Sequence, residues 1–398
     1  MNRLPNLMSK IQGVDVAQLP QDQGAQAELL RLTREVTTIL EGPVNRATDL
    51  VFKPYTTVAA RIAVDLDLFN HICAASGDVT SKQLANLTRG DELLISRILR
   101  LLAATGFVDN TGEDEWKSNE TTQAMAMPAI EAGHRFVFDV LVSSAMKAPK
   151  YLSETKYQVP TEPTDTFVQY AFQTRLPFFQ YLQSMPSLMH DFNLFMGNTM
   201  GNRQYWHDWY DVRKLLLTGF DRSHNSVLLV DVGSGKGHDM LAFHQAFADS
   251  ATEVSFRLVL QDLPPVLESV SEHELPAGFE KMPHDFFTEQ PVKAARGYFL
   301  HHILHDWSDQ YCIKILRCLR KAMLPGYSKL LIHELILPNS GAEEIQARFD
   351  LVMMTLSGGM ERSRTQWVRL LEEAGFCNIT LYEHLDHDGI IEAEVPNH

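Results

Sequence analysis

No stretch of this chain approaches the roughly 20 consecutive apolar residues that cross a bilayer, so no membrane partner is expected. Its first ten residues scatter Asn2, Arg3, Asn6, Ser9 and Lys10 where an export signal would hold an apolar run, which points to a cytoplasmic protein. Cysteine is scarce: Cys73, Cys312, Cys318 and Cys377 stand apart with no C-x-x-C pair, so neither a zinc knuckle nor a disulfide framework is suggested. Basic residues are outnumbered, 35 against 50 acidic ones, and the formal charge of -15 opposes binding to polyanionic nucleic acid. A neutral or cationic small ligand suits such a surface better. Internal repeats and low-complexity tracts are also lacking.

What is present is length and pattern. At 398 residues, 45% of them apolar, the chain is long enough for two domains with large cores. Residues 1–24 are polar and interrupted by proline, and read as a flexible arm. Leucine and isoleucine then recur at helical spacing from Ala25 to Leu40 until Gly42-Pro43, a helix stop. A second helical stretch, Val58 to Ile72, offers an apolar face suited to a partner subunit. Two further helices, Thr80 to Leu87 and Asp91 to Thr105, precede a short hairpin near Asn110 to Trp116, the order of a winged helix. The second of them carries Arg97 and Arg100 but opens on Asp91 and Glu92, so no basic face is available for phosphates. Residues 25–150 are therefore expected to form a mostly helical, winged-helix-like domain that packs or dimerises rather than binds DNA.

Between 151 and 225 a helical linker is expected. Aromatic density from Phe136 to Met200 reads either as core between two domains or as a pocket for a flat apolar substrate. From residue 226 to 398 strands and helices alternate: Val227 to Val232, Ser255 to Gln261, Gly297 to Leu300 and Lys329 to Glu334, with helices after Gly237, from Pro264 and from Ser308 to Leu324. This order predicts an α/β fold with a doubly wound, Rossmann-like sheet, whose ligands bind beyond the carboxyl ends of the strands.

The strand ends carry the chemistry. Gly233-Ser234-Gly235-Lys236-Gly237 has neither the G-x-G-x-x-G spacing of a dinucleotide turn nor the pattern of a P-loop. Asp262 ends the next strand, where a carboxylate can accept from two ribose hydroxyls. Asp285 offers an acceptor to an adenine amino group, and Phe286 a flat surface for its ring. Together Asp231, Asp262 and Asp285 would repel phosphate, which implies a nucleoside without a polyphosphate. The run Y-F-L-H-H-I-L-H-D-W-S-D places His305 where an apolar strand gives way to a polar helix start, and imidazole is the side chain best suited to general base work near neutrality. Asp306 can alternatively cap the following helix, and Trp307 is either core or an adenine neighbour.

The motifs V-D-V-G-S-G-K-G, Q-D-L-P, H-D-F-F, H-D-W-S-D, H-E-L-I-L-P and G-G-M-E-R-S, spanning roughly residues 227 to 365, resemble in kind and order the S-adenosylmethionine-dependent, cation-independent O-methyltransferases of the plant caffeate type, especially their fungal secondary-metabolism branch. The resemblance implies S-adenosylmethionine as cofactor and S-adenosylhomocysteine as product. It assigns Gly233 to the methionyl end, Asp262 to the ribose, and Asp285 with Phe286 to adenine. Asp231, Gly235, Leu263 and Trp307 extend the cofactor set. His305 becomes the base, flanked by Glu334 and Glu361, and Phe192 with Met196 match positions that line the substrate pocket. The implied assembly is a homodimer built by the front domain, and the implied substrate is a small aromatic metabolite such as a polyketide, methylated on a phenolic hydroxyl. The family carries a basic residue four positions before the base, against the cofactor; here it is His301, followed by His302.

Other readings remain for these residues. Glu334 can be an ordinary surface acid, and Glu361 a cap for the helix that follows it. His301, His302 and His305 can be read as a metal site, but they span a strand end rather than one helix face, no acidic or cysteine partner has ligand spacing, and no metal is expected. The same fold can also use a bound sulfonium to promote a dehydration or a pericyclic step without methyl transfer.

Overall fold

The computed structural model describes residues 3–397 apart from 18, 20–21, 200–203, 254–255, 272, 274 and 385–387. Two compact units emerge, residues 1–139 with 190–198, and residues 140–189 with 199–398.

In the first unit the expected arm contains a helix, Leu4–Gln12, with Leu7 buried. Helix Gln23–Glu41 ends at Gly42, whose φ of 73° breaks the spiral, and Pro43 opens the next helix, Pro43–Phe52. The single helix expected over Val58 to Ile72 is two, Pro54–Asp65 and Leu68–Ala74, because Asp67 turns left-handed at φ 53°. Their apolar residues Ala59, Ala63, Leu68, Phe69 and Ile72 lie in the unit's own core, not on a face awaiting a partner. The winged-helix order is present: helix Leu68–Ala74, strand β1 (Val79–Thr80), helices Ser81–Thr88 and Glu92–Ala104, then strands β2 (Asp109–Gly112) and β3 (Glu115–Lys117), paired as β1-β3-β2. Thr80 and Gln83 close a capping box at helix Ser81–Thr88, and Asp91 accepts from Leu94 N (2.8 Å) at helix Glu92–Ala104.

The second unit holds a sheet in the order β10-β11-β8-β7-β4-β5-β6. Its strands are β4 (Val227–Val232), β5 (Arg257–Asp262), β6 (Phe279–Pro283), β7 (Gly297–His301), β8 (Lys329–Leu337), β10 (Cys377–Glu383) and β11 (Asp388–Glu394), and the two-residue β9 (Arg362–Ser363) pairs with the end of β8. From β6 to β8 all pairings are parallel; β11 runs antiparallel to both neighbours. Beyond the strands expected from sequence, the β10-β11 hairpin completes the edge. Every residue of β4 is buried, as a sheet covered on both faces requires. Val230, Leu300 and Ile332 face helices Asp309–Arg320 and Arg364–Ala374, while Leu229, Phe299 and Leu331 face Phe243 of helix His238–Glu253 and Trp206. Strand order reverses between β4 and β7, the switch point where a crevice opens at the carboxyl ends.

The segment expected as one linker, 151–225, divides instead. Residues 151–189 belong with the sheet, where Thr166 Oγ1 donates to the carbonyls of Thr355 and Leu356 (both 3.2 Å), whereas 190–198 belong with the first unit. The aromatic run divides with it: Phe136 meets Phe192 edge-on at 5.2 Å in the first unit, and Tyr151 meets Phe167 at 5.4 Å in the second. Met200 and Ser255, the expected ends of two segments, lie outside the described residues. No helix among the described residues is long and apolar enough to cross a membrane.

Candidate active site

The turn after β4 is built from glycines because the chain reverses tightly there. Gly233 has φ 80°, and a Cβ on it would meet Ile303 Cδ1 at 2.4 Å. Both Gly233 N and Ser234 N donate to Gln261 O (2.8 and 2.9 Å), which fastens the turn to the end of β5. Gly235 N donates to Asp262 Oδ2 at 2.8 Å, and Leu263 N to Asp262 Oδ1 at 2.7 Å. The amide that would greet a phosphate in a dinucleotide turn is thus engaged by a carboxylate, and the space beside the Gly235 Cα is open. Such a turn fits a nucleoside whose other end is cationic and does not fit a polyphosphate. Asp231, beneath it, is buried; burial, with Asp239 and Asp262 nearby, pushes its carboxyl well above the usual range.

Asp285 lies past the end of β6, exposed, with Phe286 beside it. Phe286 and Phe287 meet Trp307 edge-on, at 6.1 and 4.8 Å between ring centres. The fold therefore brings Trp307 to the residues proposed for adenine, and Ser308, not Asp306, occupies the cap position of helix Asp309–Arg320. These features fit the nucleoside half of S-adenosylmethionine.

His301 ends β7 with its Nδ1 2.7 Å from Asp239 Oδ2. Burial opposes charge on both groups, yet their attraction holds Asp239 down at about 2 and His301 above the usual imidazole value. His333 stands beside them, 4.2 Å from His301 between ring centres, and burial keeps it neutral with its pKa well below normal. One donor atom each from Asp239, His301 and His333 falls within a 4.8 Å group. The acidic partner that sequence spacing did not supply is present, so the spacing argument against a metal fails here, and cation independence rests on the family resemblance.

His305 sits on a single 3-10 turn, Leu304–Asp306, directly after the sheet. Its Nδ1 lies 3.0 Å from Glu361 Oε1 and 3.5 Å from Glu334 Oε2. Glu334 is fully buried, which excludes the surface-acid reading. Its other oxygen accepts from the amides of Ile303 (2.9 Å), Leu304 (2.8 Å) and His305 (3.3 Å), so one carboxylate both shapes the turn and faces the ring it carries. Glu361 is also buried, and Ser363, not Glu361, caps helix Arg364–Ala374. The Glu361 segment docks closely: Met360 N donates to His305 O at 2.9 Å, and a Cβ on Gly359 would lie 2.0 Å from that oxygen, so the position requires glycine. Burial disfavours the charged ring, but Glu334, Glu361 and Asp306 outweigh it and raise His305 to about 10. His305 Nε2 is 3.9 Å from Asp306 Oδ1, beyond hydrogen-bond reach, and burial raises Asp306 to about 6.

Phe192 and Met196 lie in the first unit on helix Pro186–Thr199, with Phe192 packed on Phe136 and Met196 exposed. Asp239 is an addition that no motif announced, whereas His333 opens the H-E-L-I-L-P motif and Arg362 stands in G-G-M-E-R-S, neither with a role assigned from sequence.

An imidazole flanked by buried carboxylates thus lies at the same end of the parallel strands as a turn suited to a nucleoside but not to its phosphates. The family model described as O-methyltransferase domain matches residues 138–377. The chain belongs to this family and is a S-adenosylmethionine-dependent O-methyltransferase. It is similar to the O-methyltransferase penC of Penicillium thymicola, 44% identical over 94% of this chain and 92% of the relative. The structure of LepI in complex with SAM aligns with a TM-score of 0.84 at 29% identity, covering 99% of each chain. A solved structure described as a pericyclic reaction enzyme aligns with a TM-score of 0.83 at 29% identity, covering 99% of this chain and all of the other.

Proposed function

We propose that this enzyme methylates a phenolic hydroxyl of an aromatic secondary metabolite, a polyketide or similar flat molecule, with His305 as the general base. The observation that carries the reading is the Glu361–His305 contact at 3.0 Å, with Glu334 beside it. Glu361 fixes the proton on Nδ1 and turns Nε2 toward the acceptor, the role a buried acid plays in a hydrolase triad. A phenol has a pKa near 10, and His305 is raised to about 10. Matched proton affinities make the transfer from the phenol oxygen to Nε2 nearly neutral once the ring is unprotonated; because a ring raised this far is charged at neutral pH, turnover should rise toward alkaline pH, and each transfer leaves a phenolate against an imidazolium that both glutamates stabilise.

Gly233 and Gly235 in the turn, Asp231 and His301 at the switch point, Asp262 with Leu263 after β5, and Asp285, Phe286 and Trp307 beyond β6 would hold S-adenosylmethionine. When bound, the cofactor supplies a methyl group made electrophilic by its sulfonium. Most of the rate gain comes from holding acceptor oxygen and methyl carbon at near-attack distance. Phe192 and Met196 are assigned to the substrate on the family resemblance, so Phe192→Ala should raise KM for the acceptor more than it lowers kcat.

Homodimerisation is assigned to the front domain, expected over residues 25–150, of which 140–150 belong with the second unit. Leu40, Val44, Leu50, Phe52 and Tyr55, all more than half exposed in the single chain, support that assignment; light scattering coupled to gel filtration tests it. The four free cysteines suit a reducing cytoplasm.

The deciding experiment incubates the purified protein with methyl-labelled S-adenosylmethionine, a panel of phenolic polyketides and extract of the source organism, with His305→Ala as control. Label in a product formed only by the wild type supports the reading. The likeness to a pericyclic reaction enzyme supplies the second reading, and a metabolite that changes at constant methyl count would establish it instead.

A further inference from the structure

We propose that Arg362 is the positioning residue of this site, clamping the turn that carries His305 onto the segment that carries Glu361. The inference rests on the reading of His305 as base. Three fixtures meet at Arg362. Its backbone is registered on β8 opposite Ile336, two residues past Glu334. Its neighbour in sequence, Glu361, holds the His305 ring. Its side chain, fully buried, reaches back under the turn.

There Nη1 donates to Leu304 O at 3.0 Å and Nη2 to Trp307 O at 2.8 Å, gripping the carbonyls on both sides of His305. Nε and Nη2 both reach Asp309 Oδ1 (2.9 and 2.8 Å), at the start of the following helix. Nη2 also approaches Cys312 Sγ at 3.3 Å, and the guanidinium lies over the Trp367 ring at 5.2 Å. A planar fork with five donors can hold two carbonyls and a carboxylate at once. An ammonium in its place is a single point with no plane to set the spacing between Leu304 and Trp307.

Glu334 defines the turn from above by accepting three of its amides, and Arg362 defines it from below by donating to two of its carbonyls. With both in place His305 has one position relative to Glu361. A buried guanidinium that served stability alone would have no reason to bracket the base in this way.

The test uses full-length Arg362→Lys and Arg362→Met, with Asp309→Asn as a milder variant because Asp309 is 60% exposed and its loss leaves the core intact. Two readouts are taken: kcat and KM for acceptor and cofactor, and the titration of the His305 ring by NMR of histidine-labelled protein without substrate. In folded variants kcat should fall at least tenfold, with KM for S-adenosylmethionine within threefold. The His305 midpoint should move down, in the order Met, Lys, Asn. Unchanged kcat and unchanged His305 titration in folded Arg362→Lys and Arg362→Met would overturn the proposal. If the wild type transfers no methyl while the variants still shift the His305 midpoint, the positioning role stands and the assignment of His305 as methyl-transfer base falls.

Discussion

Replacing Glu361 by Gln isolates what its charge does, because a glutamine carbonyl can still accept from Nδ1 of His305 at the same 3.0 Å and so preserves the tautomer. Two opposite charges 3 Å apart interact by about 5 kcal/mol at an effective dielectric of 20. Moving an imidazole from 6.5 to about 10 represents a similar sum, about 5 kcal/mol of preference for the charged ring. That preference is shared among Glu334, Glu361 and Asp306 and is already net of the burial cost. Removing one of the three charges should therefore lower the His305 midpoint by about 1–2 pH units. The direct assay is NMR titration of the imidazoles, with the His305 signal assigned by its loss in His305→Gln. In kinetics the acid limb of kcat/KM should move down by the same interval, while the plateau falls about 10- to 100-fold because the weaker base takes the phenol proton less readily. An unmoved midpoint in Glu361→Gln would show that the carboxylate orients the ring without charging it, and would refute the matched-affinity account of the reaction.

Glu334→Gln should be worse than Glu361→Gln. One oxygen of Glu334 must keep three amides, which turns the new NH2 group toward Nδ1 and sets two donors against each other; a loss of about 2–4 kcal/mol in chemical denaturation is expected. Asp262→Ala frees Gly235 N and removes the proposed ribose acceptor, so calorimetry should show S-adenosylhomocysteine binding weakened about 10- to 100-fold. Asp239 and His301 make stability pH-dependent in two directions. With Asp239 lowered to about 2, its contribution is complete above 3.8 and fades as pH falls toward 2. With His301 raised, its contribution is complete below 6.5 and fades as pH rises through its folded value. Asp239→Asn should consequently cost more stability at pH 5.5 than at pH 9, read from urea midpoints at both pH values.

The parts of the fold legible in sequence were those governed by short-range rules. The strands β4, β5, β7 and β8 announce themselves as apolar runs, β4 leading into glycine and β5 ending in acid, and Thr80 and Asp91 mark helix starts by their side-chain oxygens. The break between Pro54–Asp65 and Leu68–Ala74 did not show, because the periodicity continues across Asp67 and only its left-handed φ of 53° interrupts the helix. The β10-β11 hairpin was hidden for a different reason. Its inner strand reads as a mixed run, D-G-I-I-E-A-E, and it is buried by pairing with β10 on one side and, on the other, with β8, which is distant in sequence.

The site divides along the same line. The glycine turn, His305 and Glu361 could be placed because each sits at an element boundary, and Glu334 because its motif marks it, although β8 runs on past it to Leu337. Asp239 could not, since its partner His301 is 62 positions away and nothing at helical spacing points from one to the other. That omission changes the chemistry assigned to His301. As an isolated imidazole it would be a weak substitute for the basic residue that the family resemblance implies before the base; paired with Asp239 at 2.7 Å, its pKa is held above the usual imidazole value. Replacing the carboxylate removes that attraction, which makes cofactor binding by Asp239→Asn at neutral pH the measurement that separates a charged anchor from a packed ring. Loss of affinity assigns His301 a cationic role toward the methionyl end, whereas unchanged affinity confines the pair to holding helix His238–Glu253 against the end of β7.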